Sequence, residues 1–183
     1  PSWHRLLGNF SKKLINICVK NIKKYDGIII DVRENQGGSS HIAEDFSGIF
    51  FKNDIKYGIV KKKNKKGEIF SSPMVLKAKT KIFIDKPIVI LISKLCYSSC
   101  ELFLAPFKIS KRAILIGERT GGGSANPNDK EIMIGDKKYV VRIPTWKFYL
   151  KGKKQPIEKT AIDPDIFYKG KNIEKLAVKI VKE

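Results

Sequence analysis

The sequence predicts an α/β fold, in which helices alternate with buried strands. Three short apolar runs rich in β-branched residues carry this prediction: residues 28–32, 87–92 and 113–117. Such runs are typical of strands covered on both faces, as in a parallel sheet. Segments with apolar residues at helical spacing separate these runs, and a length of 183 residues fits one domain.

The other elements follow in chain order. Residues 11–24 carry apolar side chains at helical spacing, and Asp26-Gly27 should end that helix. A turn with a serine cap at residues 36–40 opens a second amphipathic helix. Residues 55–60 and 68–84 are predicted to be strands on either side of a basic loop.

Two further helices complete the pattern, one after Ser98 and Ser99 and a last one from Asn172. Parallel sheets bind their ligands beyond the carboxyl ends of the strands. Because Gly37-Gly38 and Ser98 both follow predicted buried strands, we expect the functional site at that edge of the sheet.

Charge is the most unusual bulk property, since 37 Lys+Arg against 18 Asp+Glu give a formal net charge of +19. Proteins that read bases or phosphates usually rely on arginine, whereas only five residues here are arginines. The densest basic run, residues 61–67, falls between two predicted strands as a loop tip. A solvated lysine-rich surface is therefore the favoured interpretation, and binding of an anionic polymer is a minor hypothesis without a specific nucleic-acid partner.

The cysteines and histidines do not predict a metal site. Cys18, Cys96 and Cys100 cannot all pair with one another, and none has metal-ligand spacing with His4 or His41. We expect buried free thiols, no zinc and no cofactor. The sequence also has no apolar run approaching the ~18 residues of a membrane span, so no transmembrane segment is expected.

Residues 31–38 form the first cluster that could carry chemistry. Gly37 and Gly38, after a buried strand, allow the backbone to approach a ligand and to aim amide N–H groups at it. An oxyanion needs such donors. The alternative is an ordinary tight turn between strand and helix, because glycine pairs are common there.

Residues 95–101 form the second cluster. Ser98 at a strand–helix junction lies beside a helix N-terminus, where negative charge is favoured, and the N–H of Ser99 could contact an oxyanion. The alternative is a plain N-cap, with Ser98 or Ser99 capping and Glu101 in the first turn.

The third cluster, residues 156–165, contains Glu158 and could equally be a surface loop. Only two histidines could act as imidazole bases. His4 lies in a strand-like stretch at residues 3–7, and His41 lies in the first turn of the second helix. Either could instead be a structural histidine.

Taken in order, these segments resemble the carboxy-terminal processing (tail-specific) protease family, serine peptidase family 41. The family's Asp-Leu-Arg-x-Asn-x-Gly-Gly pattern corresponds to residues 31–38, and its apolar strand leading to Ser-x-x-Glu corresponds to residues 87–101. Its Gly-Glu-x-Thr-x-Gly segment corresponds to residues 117–122. Its closing Ile-Glu-x-x-Gly-Ile-x-Pro-Asp corresponds to residues 157–165, with Ala161 in place of glycine.

The resemblance implies an α/β, ClpP/crotonase-like layered core of sheet and helices. It implies that Ser98 is the nucleophile and that Gly37, Gly38 and the Ser99 amide supply oxyanion donors. Members with a Ser/Lys pair carry lysine after the Gly-Glu-x-Thr-x-Gly segment, where this chain has Gly123. The resemblance is therefore to the tricorn-like branch, which uses serine, histidine and glutamate.

In that branch the histidine lies on an N-terminal strand and the glutamate in the closing motif. Glu158 matches this glutamate, His4 is the preferred base, and His41 is the alternative. The chemistry is consistent, because imidazole can take the serine proton and return it to the leaving amine while a carboxylate orients the ring.

A PDZ-type domain is common in the family, but the motifs run from residue 31 to 165 without a large insertion. We therefore expect one catalytic peptidase domain over residues 1–183 with no PDZ-type domain, and an N-terminal part is expected to be missing. The expected activity is serine endopeptidase action on C-terminal regions of proteins or peptides. The alternative is an inactive ligand- or peptide-binding module on the same scaffold. The family is often extracytoplasmic or associated with the cell envelope, whereas unpaired cysteines leave the cytoplasm open. Oligomeric state is left open.

Overall fold

The computed structural model describes residues 13, 15–17, 19–22, 24–64, 66–123 and 127–183. His4 and Cys18 therefore lie outside the described residues. Helix α1 is described at residues 13, 15–17 and 19–22, as the sequence predicts.

Strands and helices alternate through the rest of the chain. The helices are α2 (Ser40–Ser47), α3 (Ser99–Ser110), α4 (Ile157–Thr160) and α5 (Ile173–Lys182), with 3₁₀ turns at Gly48–Phe50 and Thr80–Ile82. The strands are β1 (Ile28–Asp31), β2 (Ile55–Lys63), β3 (Ile69–Leu76), β4 (Ile88–Ile92), β5 (Ile114–Gly117), β6 (Pro127–Ile134), β7 (Lys137–Pro144), β8 (Trp146–Leu150) and β9 (Ile166–Phe167).

The central sheet is parallel, with strand order β1-β4-β5-β9, which confirms the predicted α/β class. All five residues of β4 are buried, as its apolar sequence predicts. β1 packs on both faces, with Ile28 and Ile30 against one core cluster and Ile29 against the other, but Ile28 to Ile30 are only half-buried and Asp31 is exposed. The incomplete burial follows from position, because among the described strands β1 lies at an edge of this sheet and has a strand neighbour on one side.

A second, antiparallel sheet has the order β3-β2-β8. The lysine-rich loop is the tip of its β2–β3 hairpin, where the Asn64 N–H donates to the Glu68 carbonyl at 3.0 Å. Ammonium groups on β2 lie over β8 rings, with Lys61 Nζ 4.8 Å from the centre of Tyr149 and Lys62 Nζ 4.6 Å from that of Trp146. These contacts are consistent with a solvated lysine-rich surface.

The strand predicted over residues 68–84 is too long, because β3 ends at Leu76. The Ala78 N–H donates to the Asp54 carboxylate at 3.0 Å instead of to a neighbouring strand. The Lys79 N–H then donates to the Gly48 carbonyl at 2.8 Å, which turns the chain into a 3₁₀ segment.

An aromatic cluster joins α2 to α3 and fixes the position of α3 beneath the sheet edge. Phe46 stacks on Phe103 at 6.0 Å between ring centres, and Phe50 lies 5.7 Å from Phe107. Residues 99–107 of α3 are all buried. Burying each of Phe50, Phe103 and Phe107 stabilises the fold by about 1.5–3 kcal/mol, so the N-terminus of α3 is held on a rigid base.

Among the described residues, no helix is both long and apolar enough to span a bilayer. The same residues contain no group of three or more His, Cys, Asp or Glu side chains arranged to hold a metal ion.

Candidate active site

Ser98 lies between β4 and α3 in a strained backbone conformation, with φ of +58° and ψ of −123°. Such a conformation costs on the order of 1–3 kcal/mol for a residue with a Cβ and is typical of functional sites. The chain can hold it because the Cys100 N–H donates to the Tyr97 carbonyl and the Glu101 N–H to the Ser98 carbonyl.

The Ser98 hydroxyl makes no capping hydrogen bond to α3, although Ser98 occupies the N-cap position. The plain N-cap interpretation of this serine is therefore wrong. The side chain is half-buried at the end of the helix, and its oxygen makes no hydrogen bond to any described residue.

Gly37 packs directly against the serine. A Cβ at Gly37 would lie 2.7 Å from Ser98 Cβ and 2.7 Å from the Tyr97 carbonyl oxygen, closer than carbon atoms approach in proteins. Gly37 also has a φ of +99°, which favours glycine. The Tyr97 N–H donates to the Asn35 carbonyl at 3.2 Å, so hydrogen bonding as well as packing joins the two loops.

The two glycine amides differ in their partners. The Gly37 N–H donates to the Asn35 side-chain oxygen at 2.9 Å. The N–H groups of Gly38 and Ser99 donate to no residue in the described part of the chain. Ser99 is the first residue of α3, where helix geometry leaves the N–H without an internal partner.

His41 lies in the first turn of α2, as predicted, and its side chain is exposed. The cap on this helix is Ser39, whose hydroxyl accepts from the Ile42 N–H at 3.4 Å. Burial raises the pKa of the neighbouring Glu44 carboxyl, and the charge of His41 opposes that rise.

Glu101 is fully buried and binds the glycine-rich loop that follows β5. Its carboxylate accepts from the Thr120 hydroxyl at 2.5 Å, the Gly122 N–H at 3.0 Å and the Gly123 N–H at 2.7 Å. Burial raises the pKa of this carboxyl, while these donors and the Ser98 N–H favour its ionised form. The base of the serine turn is thus attached to a second loop.

The same loop connects the serine turn to α4. The Gly121 N–H donates to the Cys96 carbonyl at 2.8 Å, and the Thr120 N–H donates to the Ile162 carbonyl at 3.1 Å. Ala161 has a φ of +48°, so it adopts the conformation for which its motif usually carries glycine.

Glu158 lies on α4 with an exposed side chain. Within the described residues its carboxylate makes no hydrogen bond and no ion pair. The loop of residues 120–123 fixes the backbone of the closing motif, while no described residue holds the carboxylate itself.

An apolar pocket of about 320 Å³ opens beside Gly37 and Ser99. Its walls come from β1, the loop of residues 32–39, α2 and α3, and they carry no charged side chain. The lining side chains include Ile30, Val32, Ile42, Ala43, Phe46 and Phe103.

The structure thus brings Ser98, Gly37 and Ser99 together, with Gly38 adjoining them. Sequence reasoning did not find the Glu101 hydrogen bonds or the pocket. The spacing Ser98-x-x-Glu101 was a signal for Glu101, because a glutamate at this helix position reaches back to the cap.

A family model described as peptidase family S41 matches residues 3–168. The chain belongs to this family. Membership confirms, at the level of the family, the predicted serine peptidase class and the predicted fold. A search of curated protein sequences finds no significant match.

Solved structures share the fold. A candidate peptidase from Parabacteroides merdae matches with a TM-score of 0.77 and 24% identity over 94% of this chain and 57% of its own. The photosystem II D1 C-terminal processing protease matches with a TM-score of 0.61 and 21% identity over 87% and 39%. The tricorn protease matches with a TM-score of 0.58 and 21% identity over 86% and 15%. The chain therefore spans little more than half, or less, of the proteins it resembles.

Proposed function

We propose that this chain is the catalytic domain of a serine endopeptidase that cleaves C-terminal regions of proteins or peptides through an acyl-enzyme at Ser98. The observation that carries the proposal is the Ser98 turn. An uncapped hydroxyl lies at a strained junction beside two backbone amides, those of Gly38 and Ser99, without partners in the described chain. The S41 family model supports the reaction class.

In the first step the Ser98 oxygen attacks the substrate carbonyl carbon and gives up its proton to a base. The carbonyl oxygen becomes an oxyanion, which the amides of Gly38 and Ser99 stabilise. Loss of one such donor typically costs about 10²–10³ in rate. The Gly37 amide serves the turn instead, because Asn35 accepts its hydrogen bond.

The leaving amine takes the proton from the base. Water then hydrolyses the acyl-enzyme: the same base activates the water and afterwards returns the proton to the Ser98 oxygen. We assign the proton transfer to His4, with His41 as the alternative, and the orientation of the imidazole to Glu158. Glu158 lies in the closing motif that the loop of residues 120–123 fastens to the serine turn.

The apolar pocket indicates which kind of substrate side chain precedes the cleaved bond. It opens beside Gly37 and Ser99, so the substrate side chain on the acyl side would enter it. With no charged lining residue, it favours an uncharged, apolar side chain, since a buried charge would lack a partner.

Preference for C-terminal regions rests on analogy with the photosystem II D1 C-terminal processing protease, which has the same fold. It can be tested with one peptide made with a free C-terminal carboxylate and with a C-terminal amide. Tail-directed cleavage predicts faster hydrolysis of the free acid, whereas equal rates would remove this part of the proposal.

A fluorophosphonate probe tests the nucleophile directly. The wild-type chain should be labelled and Ser98→Ala should not, while Ser71→Ala on the exposed face of β3 should be labelled like wild type. Peptide hydrolysis should follow the labelling. Undiminished hydrolysis by folded Ser98→Ala would rule out the assignment.

A binding module without catalysis is the second candidate, because the apolar pocket could hold a ligand and Glu158 lacks a partner among the described residues. In that case the probe would label neither wild type nor variant. Apolar peptides would still bind, and Ser98→Ala would leave their affinity unchanged.

A further inference from the structure

Two buried thiols flank the serine turn. Cys96 and Cys100 are both free and almost fully inaccessible. Their thiols lie close enough to shift each other's pKa, which is lowered for Cys96 and raised for Cys100. The Cys96 thiol donates to the Val32 carbonyl at 3.0 Å and accepts from the Ser93 N–H at 3.3 Å. The pair therefore lies between β1 and the N-terminus of α3.

The apolar pocket gives a small reagent access to Cys100, one member of this pair. Cys100 and Val32 both line it, and the carbonyl of Val32 is the group that holds Cys96. The hydrogen bond from Cys100 lowers the pKa of the Cys96 thiol from its ordinary value. Cys96 is thus the thiol that ionises first, so its thiolate can attack an oxidised sulfur on Cys100, the member of the pair that the pocket reaches.

We propose that Cys96 and Cys100 are an oxidisable dithiol that a peroxide converts to a disulfide across the Ser98 turn. One thiol reacts with hydrogen peroxide to give a sulfenic acid and water. The other sulfur then attacks the sulfenic sulfur, releases a second water and forms the S–S bond. The net reaction consumes two thiols and one hydrogen peroxide and yields one disulfide and two waters.

Closing the disulfide changes the serine turn. The thiol hydrogen bond to the Val32 carbonyl is lost, and Tyr97, Ser98 and Ser99 become part of a small covalent ring. Because a displacement of about 1 Å can cost on the order of 10²-fold in rate, we expect oxidation to slow probe labelling of Ser98 at least about tenfold. This consequence rests on the proposed function, whereas disulfide formation does not.

Mass spectrometry tests the dithiol without reference to activity. Trypsin should release residues 95–108 as one peptide that contains both cysteines and Ser98. After peroxide treatment of a Cys18→Ser chain, the peptide should be lighter by two hydrogen atoms and resist alkylation until dithiothreitol is added. Two alkylated cysteines, or oxidation of one sulfur without a bridge, would overturn the proposal.

Two variants separate the disulfide from general oxidative damage. Cys100→Ser and Cys96→Ser, each in the Cys18→Ser background, should each label Ser98 at the same rate before and after brief peroxide treatment, whatever that rate is. If both lose labelling as wild type does, the disulfide does not control the serine. If wild type forms the bridge but shows no labelling before oxidation, the proposed peptidase function fails while the dithiol stands.

Discussion

The Ser98 turn differs from the exposed side chains of α2 and α4 in how firmly the surrounding structure holds it. Gly37 packs against the turn, Glu101 anchors it from below, and the Cys96 thiol binds the strand beside it. His41 and Glu158 instead lie on exposed positions. The proposed nucleophile and oxyanion donors are thus held by packed backbone, whereas the side chains of His41 and Glu158 are exposed.

This difference has a chemical reason. Nucleophile and oxyanion donors must be placed within a fraction of an ångström, which only packed backbone ensures. A base must come within hydrogen-bond distance of the serine hydroxyl, and substrate binding can bring it there. Substitutions should therefore affect the two regions in different ways.

The largest effect is expected from the histidine that acts as base. Loss of a general base lowers kcat by about 10²- to 10⁴-fold. We expect this loss in His4→Ala and wild-type-like turnover in the variant of the other histidine. Peptide hydrolysis and probe labelling should be measured on both proteins in parallel.

Circular dichroism should show both histidine variants folded, so that any loss reflects chemistry. A loss confined to His41→Ala would transfer the assignment to the α2 histidine. Full activity in both variants would show that neither is the base.

Gly37→Ala should lower kcat/KM by about 10²-fold, because the new methyl group must displace Ser98 Cβ or the Tyr97 carbonyl. Gly152→Ala is the matched control. Gly152 has a φ of +81°, similar to that of Gly37, but no atom lies within 4 Å of the added Cβ. It should lose about 1–2 kcal/mol of stability and no activity. Equal activity losses would show that backbone strain, and not contact with the serine, is responsible.

The sequence predicted those parts of the molecule that depend on neighbouring residues. Buried β4, the cap of Ser39 on α2 and the junction at Ser98 all follow from apolar runs and turn residues within a few positions. Family motifs then supplied the order of the segments.

It failed where distant segments decide the outcome. β1 reads as a fully covered strand, but its place at the sheet edge leaves it half-buried. The hydrogen bonds of Glu101 join residues 19 to 22 positions apart in sequence. The pocket requires α2 and α3 to meet, which local patterns do not specify.

Glu101→Gln should lower the free energy of unfolding by about 2–3 kcal/mol, since it leaves a buried amide donor without an acceptor. Urea denaturation measures this loss. Glu158→Gln is the control from the exposed region, and it should leave stability unchanged while reducing peptide hydrolysis. If both variants unfold at the wild-type midpoint, the buried carboxylate does not hold the turn.

The same variant should change the pH dependence of stability. Burial raises the pKa of Glu101 above its ordinary value of 4.5, so the folded chain holds this proton more tightly than the unfolded chain. The stabilisation that this protonated carboxyl contributes to the folded chain is present below about pH 4.5 and is lost as the pH rises through the raised pKa. Unfolding measured from pH 4 upward should therefore show this decline in wild type and not in Glu101→Gln. If the free energy of unfolding changed with pH in the same way in both proteins, a group other than Glu101 would be responsible.

The smallest effect should come from the pocket that lies between the two regions. Ala43→Phe places a ring in the cavity from the α2 side, opposite the wall formed by α3. When an apolar subsite is filled, kcat/KM falls by about 10- to 200-fold for a substrate side chain that no longer fits. We expect a loss near tenfold here, because the pocket is open to solvent. Peptides with leucine before the cleaved bond should lose about tenfold, whereas those with glycine there should change little. An equal loss for both peptides would mean that the ring disturbs the serine turn and that the pocket does not receive this side chain.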